Sequence, residues 1–241
     1  MPSLEPARGA APAPVLVRPG LRVWAAPGLV PSVEALAAPD GLAAAWERGG
    51  RGVVGGGRGE ARLVVLPDGA EGVWRRDRHG GLFGPALGDR YATPARLARE
   101  VATSAALRGH GIATPPVLAA VARRVRGWWR QDLVTWRVPG ARTVFELGDD
   151  PEVAAAARCL LTAVLDLGLD APDLHPDNLL WEPAASRCWL VDLAGARLRR
   201  GPLPPRVRRR RIARFLRYFV KHLGAVPAPF RGLCDGAASR T

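Results

Sequence analysis

Residues 171–183 read Ala-Pro-Asp-Leu-His-Pro-Asp-Asn-Leu-Leu-Trp-Glu-Pro, and they place Asp173, His175, Asp177 and Asn178 within six residues. An apolar run with helical spacing, Val153 to Leu169, precedes this stretch, with Arg158 and Asp166 interrupting it. The spacing predicts a buried amphipathic helix stopped near Gly168. Beyond the stretch, Leu179 to Trp181 and Trp189 to Val191 are apolar strand pieces around the turn Glu-Pro-Ala-Ala-Ser-Arg (182–187), which predicts a hairpin with Asp192 at its end.

Two carboxylates and an amide in this order suit phosphoryl transfer. That reaction asks little covalent chemistry of a protein: a carboxylate holds the attacking hydroxyl, and oxygen ligands hold magnesium on a triphosphate. Asp173-Leu174 with Asn178 has the D-L-x-x-x-N spacing of kinase catalytic loops, and Asp192 follows where a second magnesium carboxylate belongs. His175 has no His or Cys neighbour to share a metal, so it reads as a loop-stabilising residue.

Working upstream, the glycine-dense segment 51–66 predicts a turn between two strands, the second over Ala61 to Leu66, with a third over Gly72 to Arg76. Thr93 to Gly109 predicts a helix with Thr93 as N-cap, Pro94 in the first turn and Gly109 at the stop. Ala113 to Val121 and Gln131 to Val138 have strand character and flank a basic turn over 122–129. Three strands, a helix, two strands and then helical sequence is the order of a kinase-like small lobe joined to a larger one. The expected class is α+β, a protein-kinase-like two-lobed fold with a small antiparallel sheet lobe bearing one helix and a mostly helical large lobe. The expected divisions are a Pro/Ala-rich tail and lead-in over 1–45, the small lobe over 46–138, the large lobe over 139–224 and a C-terminal tail over 225–241.

Composition narrows the setting. The 241 residues carry a formal charge of +13, and Lys221 is the sole lysine. A mechanism needing a lysine in the first half of the chain is excluded, and an anionic partner is a natural neighbour. Cys159, Cys188 and Cys234 lie too far apart for a zinc site and are odd in number for a disulfide scaffold, which fits a reducing compartment. The proline-rich start does not read as a secretory leader, and no segment is long and apolar enough for a bilayer span.

With these residues in view, the chain resembles the lipopolysaccharide kinases of the Kdo/WaaP family, most closely the 3-deoxy-D-manno-octulosonic acid (Kdo) kinases. The marks span roughly residues 50–224: Gly57-Arg58-Gly59, Trp74 to Gly84, Asp89-Arg90-Tyr91, Glu100, Gly111 to Ala120, Asp132 to Ala141, Asp173 to Asn178, Cys188 to Leu198, and Ile212 to Lys221. The resemblance implies ATP-dependent phosphorylation of a sugar hydroxyl in the lipopolysaccharide inner core, for the Kdo branch the 4-hydroxyl of Kdo on lipid A precursor. Asp173 would be the catalytic base, and Asn178 and Asp192 would hold Mg2+. The backbone at Gly57, Arg58 and Gly59 would cover the phosphates. Arg75 would stand where protein kinases keep a lysine and would pair with Glu100, a role its permanently charged guanidinium can fill. Arg76, Arg78 and His79 are candidates for acidic sugar or lipid phosphates, or else form a solvated basic turn.

Two departures bear on activity. Ala171 stands where the family usually has a loop-bracing histidine, and Asp192-Leu193-Ala194 replaces an aspartate-phenylalanine-aspartate. Three alternatives therefore stay open: a core heptose kinase, another small-molecule phosphotransferase of this fold, and a weakened pseudokinase that binds ATP or anionic lipid.

The last basic stretch, Pro205 to Leu223, predicts an amphipathic helix. Ile212, Phe215, Leu216, Phe219 and Leu223 form its apolar stripe, with Arg209, Arg210, Arg214, Arg217 and Lys221 largely on other faces. It reads as packed on the large lobe with its cations free for an anionic inner-leaflet surface or lipid A phosphates. The resemblance implies a cytoplasmic protein, peripheral on the cytoplasmic face of the inner membrane. No nucleic-acid partner is expected, since stacking aromatics and recognition motifs are lacking.

Overall fold

The computed structural model describes residues 14–39, 41–43, 53–54, 61–79 and 87–233. Two compact units divide them: residues up to Ala106 together with Pro115–Arg137, and Leu107–Thr114 together with Val138 onward.

The first unit is built on an antiparallel sheet. Its strands are β1 (Pro14–Arg18), β2 (Leu21–Ala25), β3 (Val53–Val54), β4 (Ala61–Val65), β5 (Glu71–Arg76), β6 (Val117–Val125) and β7 (Trp128–Trp136), ordered β1-β2-β6-β7-β5-β4-β3. Helix α2 (Ala95–Gly109) lies on one face, where Leu97 and Val101 pack with Trp24, Ala120, Ala122 and Leu133. The other face is covered by the segment after β2, including the short helix α1 (Val33–Ala37): Leu29 and Leu36 are buried with Val23, Val64, Trp74 and Val134. The start of α2 is tied to the sheet by Gln131, fully buried on β7. Its Oε1 accepts from Leu97 N (2.9 Å) and its Nε2 donates to Thr93 O (3.1 Å), while Thr93 Oγ1 accepts from Ala95 N (3.4 Å) as an N-cap does.

Two expectations are corrected here. From residue 14 the lead-in is not a tail: Val23 pairs with Val121, and β1 and β2 extend the sheet. The prolines obscured this, yet Pro14 opens an edge strand and Pro19 sits in the turn, two places where no ladder N–H is required. The basic turn over 122–129 is mostly strand. β6 and β7 stay paired to Val125↔Trp128 and reverse through Arg126 and Gly127 alone, both at positive φ (49° and 87°), as two-residue hairpins of the favoured hand need. Pro115 and Pro116 delay the start of β6 to Val117.

The second unit contains helices α3 (Pro151–Leu167) and α4 (Pro205–Leu223), the hairpin β10 (Leu179–Glu182) and β11 (Arg187–Leu190), and short strands β8 (Arg142–Thr143), β9 (Leu169–Asp170) and β12 (Arg197–Leu198). Leu161, Val164 and Leu165 of α3 share a core with Leu179, Leu190, Phe215, Phe219 and Phe230. Asp150 caps α3 by accepting from Glu152 N (2.9 Å) and Val153 N (3.3 Å), and Pro151 occupies its first position. Gly168 stops it at φ 96°; a Cβ there would stand 2.1 Å from Gly201 O, so glycine alone lets the chain turn into β9. The α+β class is thus observed, a helix-bearing antiparallel sheet in one unit and a mainly helical second unit.

Candidate active site

In the second unit, β9 pairs with β12 and leads into the loop that carries Asp173, which a 3-10 turn over Pro176–Asn178 delivers to β10. The β10–β11 register, Leu179↔Leu190, puts Asn178 beside Val191, whose N–H donates to Asn178 O (2.9 Å). Asn178 and Asp192 therefore sit at one end of one hairpin. Asn178 also donates Nδ2 to Asp173 O (2.9 Å), linking the amide to the loop and leaving its own side-chain oxygen as an acceptor. Asp192 adopts φ 55°, an uncommon region for a residue with a Cβ, and its Oδ1 accepts from Ala194 N (3.2 Å).

Helix α4 holds this loop from one side. Arg208 pairs with Asp166, Arg211 grips Asp170 through Nε (2.8 Å) and Nη2 (2.5 Å), Arg214 Nη2 meets Asp173 Oδ1 (2.5 Å), and Tyr218 donates its hydroxyl to Asp177. The tyrosine ring also stacks on His175, centroids 4.5 Å apart and planes 7° from parallel. Burial and the Asp177 bond push the Tyr218 hydroxyl up to about 12, so it stays a donor. Burial lowers the His175 imidazole below its ordinary value, against the opposing pull of Asp177 and Asp173. The sequence expectation that Arg214 is free for lipid is corrected: its charge is engaged by Asp173.

The first unit holds the other candidates. Arg75 Nη2 lies 2.6 Å from Glu100 Oε1 and 3.3 Å from Asp77 Oδ1, and both acids are almost wholly buried. Asp77 was not anticipated, although two residues along a strand end share a face and could have signalled it. Arg76 is committed to Asp132 (2.9 Å), and His79 stacks on Tyr91 while its Nε2 lies 2.7 Å from Arg90 O. Arg78 is thus the one of these three basic residues with no such engagement among the described residues. Gly57, Arg58 and Gly59 lie outside the described residues, as does Cys234. Arg214 and Tyr218 were also missed as loop partners; the i, i+3, i+7 stripe Arg211, Arg214, Tyr218 was the available signal.

No cluster of three or more His, Cys, Asp or Glu side chains suited to a metal occurs among the described residues. A divalent cation here would rest on Asn178, Asp192, water and nucleotide phosphates. These are hard oxygen donors, and one or two protein ligands plus phosphate is how magnesium is usually held in kinase sites, so the donor set fits. No helix among the described residues is long and apolar enough to cross a membrane.

Among curated proteins none matches the chain. A solved structure, WaaP in complex with acyl carrier protein, is similar over 78% of this chain and 78% of that chain, at 16% identity and a TM-score of 0.47. The model of one family, described as lipopolysaccharide kinase (Kdo/WaaP), matches residues 44–229. That span takes in β3 to α4 with every candidate residue discussed above, and the chain belongs to the lipopolysaccharide kinase (Kdo/WaaP) family, a family of phosphotransferases.

Proposed function

We propose that this protein transfers the γ-phosphoryl group of ATP to the 4-hydroxyl of Kdo on lipid A precursor. Asp173 accepts the proton of the attacking hydroxyl, the new P–O bond forms as the bond to the β-phosphate oxygen breaks, and ADP leaves. Magnesium, when bound by Asn178 and Asp192, neutralises phosphate charge. Arg75, oriented by Glu100 and Asp77, binds phosphate oxygens, and the backbone at Gly57, Arg58 and Gly59 covers them. The protein works peripherally at the cytoplasmic face of the inner membrane. Arg209, Arg210, Arg217 and Lys221 of α4 have no ion-pair partner among the described residues and supply cations for that surface.

The observation that carries this reading is the joining of Asp173, Asn178 and Asp192 through the Asn178 hydrogen bonds and the β10–β11 register. The brace from α4 supports activity despite Ala171, since the loop has other partners. The test offers ATP and Mg2+ with Kdo-bearing lipid A precursor and, in parallel, heptosylated core. Phosphate on Kdo is expected, with turnover falling about 10²–10⁴-fold in Asp173→Asn while the melting transition is kept. Phosphate on heptose instead would move the acceptor to the core heptose. Nucleotide binding without turnover on either would leave a pseudokinase and overturn the proposal.

A further inference from the structure

A second cationic feature lies in the first unit, apart from the Arg75–Glu100 cluster and next to His79, whose Nε2 lies 2.7 Å from Arg90 O. The β6–β7 hairpin tip borders a cavity of about 480 Å³ lined by Arg90, Val125, Arg126, Trp128 and Arg130. The neighbouring segment is pinned to the hairpin: Tyr91 N donates to Trp129 O (2.9 Å) and Trp129 N to Tyr91 O (2.8 Å), and this bridge brings Arg90 alongside. The two-residue turn makes the tip a stiff ladder rather than a loop, and Arg124 Nε braces it on Gly127 O (3.3 Å).

Three guanidinium groups thus line one cavity, and among the described residues the carboxylate that pairs with any of them is Asp89, which takes Arg130 (3.0 Å). Arg90 and Arg126 have no ion-pair partner among the described residues. Trp128 is 44% exposed beside them, so its ring is available to a partner at the tip. An indole and arginines at one projecting tip match the chemistry of a bilayer interface, where the ring sits at headgroup level and the guanidinium groups meet phosphates. A nucleic-acid strand would be served by a row of aromatics rather than one. We infer that the β6–β7 tip is a docking site for the phosphate headgroups of an anionic lipid bilayer, with Trp128 as its interfacial anchor. This is independent of the phosphotransfer reading and is measured without catalysis.

The test is sedimentation of the full chain with vesicles of phosphatidylcholine and phosphatidylglycerol in equal parts, compared with pure phosphatidylcholine. Retention on the anionic vesicles alone is expected. It should weaken about fivefold for Arg90→Gln and again for Arg126→Asn, a residue that tolerates positive φ. Trp128→Ala should weaken it further, and all three variants should melt like the parent. As a comparison, Arg209→Gln with Arg210→Gln on α4 should weaken retention less than the two tip substitutions together. Equal retention on both vesicles, or none on either, would overturn the inference. So would retention lost with the α4 pair and kept by the tip variants. A tip-dependent thermal shift with inorganic phosphate and no vesicle binding would overturn it in favour of a free anion, and tip-dependent capture of an acidic protein without vesicle binding in favour of a protein partner.

Discussion

Arg214 Nη2 meets Asp173 Oδ1 at 2.5 Å, so helix α4 holds the carboxylate proposed to accept the substrate proton. The contact belongs to a series, Arg208 on Asp166, Arg211 on Asp170 and Tyr218 on Asp177, with partners 41 or 42 positions apart throughout. Helix α4 and the segment from the end of α3 to Asn178 therefore run past each other in the same direction, and the helix presents one stripe to successive acids.

The Arg214–Asp173 pair is solvent-exposed on both sides, 44% and 62% for the side chains, so its contribution to stability is small, about 0–1 kcal/mol. Its effect is expected on orientation. Arg214→Gln should leave the melting temperature nearly unchanged and lower kcat, with KM for ATP little altered; Arg214→Lys should restore part of kcat. A large loss of stability with kcat kept would contradict this assignment.

His175 and Tyr218 make a pH-dependent brace. Well above pH 6.5 the imidazole is neutral in both the folded and unfolded chains and contributes no pH slope. As pH falls below 6.5 the unfolded chain takes up the proton first, because burial lowers the folded value, so stability is lost until the folded imidazole protonates as well. His175→Phe keeps a ring against Tyr218 and should remove up to one proton of that slope, about 1.4 kcal/mol per pH unit at most, in denaturant melts from pH 7 downward. Tyr218→Phe, which keeps the stack and loses the bond to Asp177, should cost about 1–2 kcal/mol.

In the first unit, Arg75 stands between two buried acids, and the two ways of breaking the cluster are unequal. Arg75→Met removes a cation from beside both Asp77 and Glu100 and should cost about 3–5 kcal/mol, whereas Glu100→Gln leaves Arg75 with Asp77 and should cost less. Chemical denaturation of the two variants ranks them; the reverse order would mean that Arg75 is not the charge holding these acids.

Much of the candidate site was legible because its signals are local. Asp173, Asn178 and Asp192 stand out by spacing within a loop and a hairpin, and the turn between Glu182 and Arg187 brings Asn178 and the segment leading to Asp192 together over a dozen residues. Helix α2 carried its own N-cap signal, Thr93 and Pro94, and begins two residues after that cap, at Ala95. The hairpin Pro14–Ala25 was missed because proline spacing suggested a tail, while the pairing Val23↔Val121 that gives this segment its place spans almost a hundred positions. The basic stretch 122–129 was misread for a related reason: arginines on a strand with one open face resemble a turn until both neighbouring strands are known.

By itself the sequence determined the helix periodicities and caps, the order of the elements from β4 to α4 apart from the extent of the β6–β7 turn and the shortest strands, and the spacing of the acids and amide, since each arises from backbone preferences acting over a few residues. Tertiary structure alone decided that Arg214 meets Asp173, that Asp77 joins Arg75 and Glu100, and that Arg90 reaches the β6–β7 tip. Those pairings depend on the packing of a whole helix or sheet face, which sets the register between distant segments, and a side chain's charge carries no record of the partner that packing will bring to it.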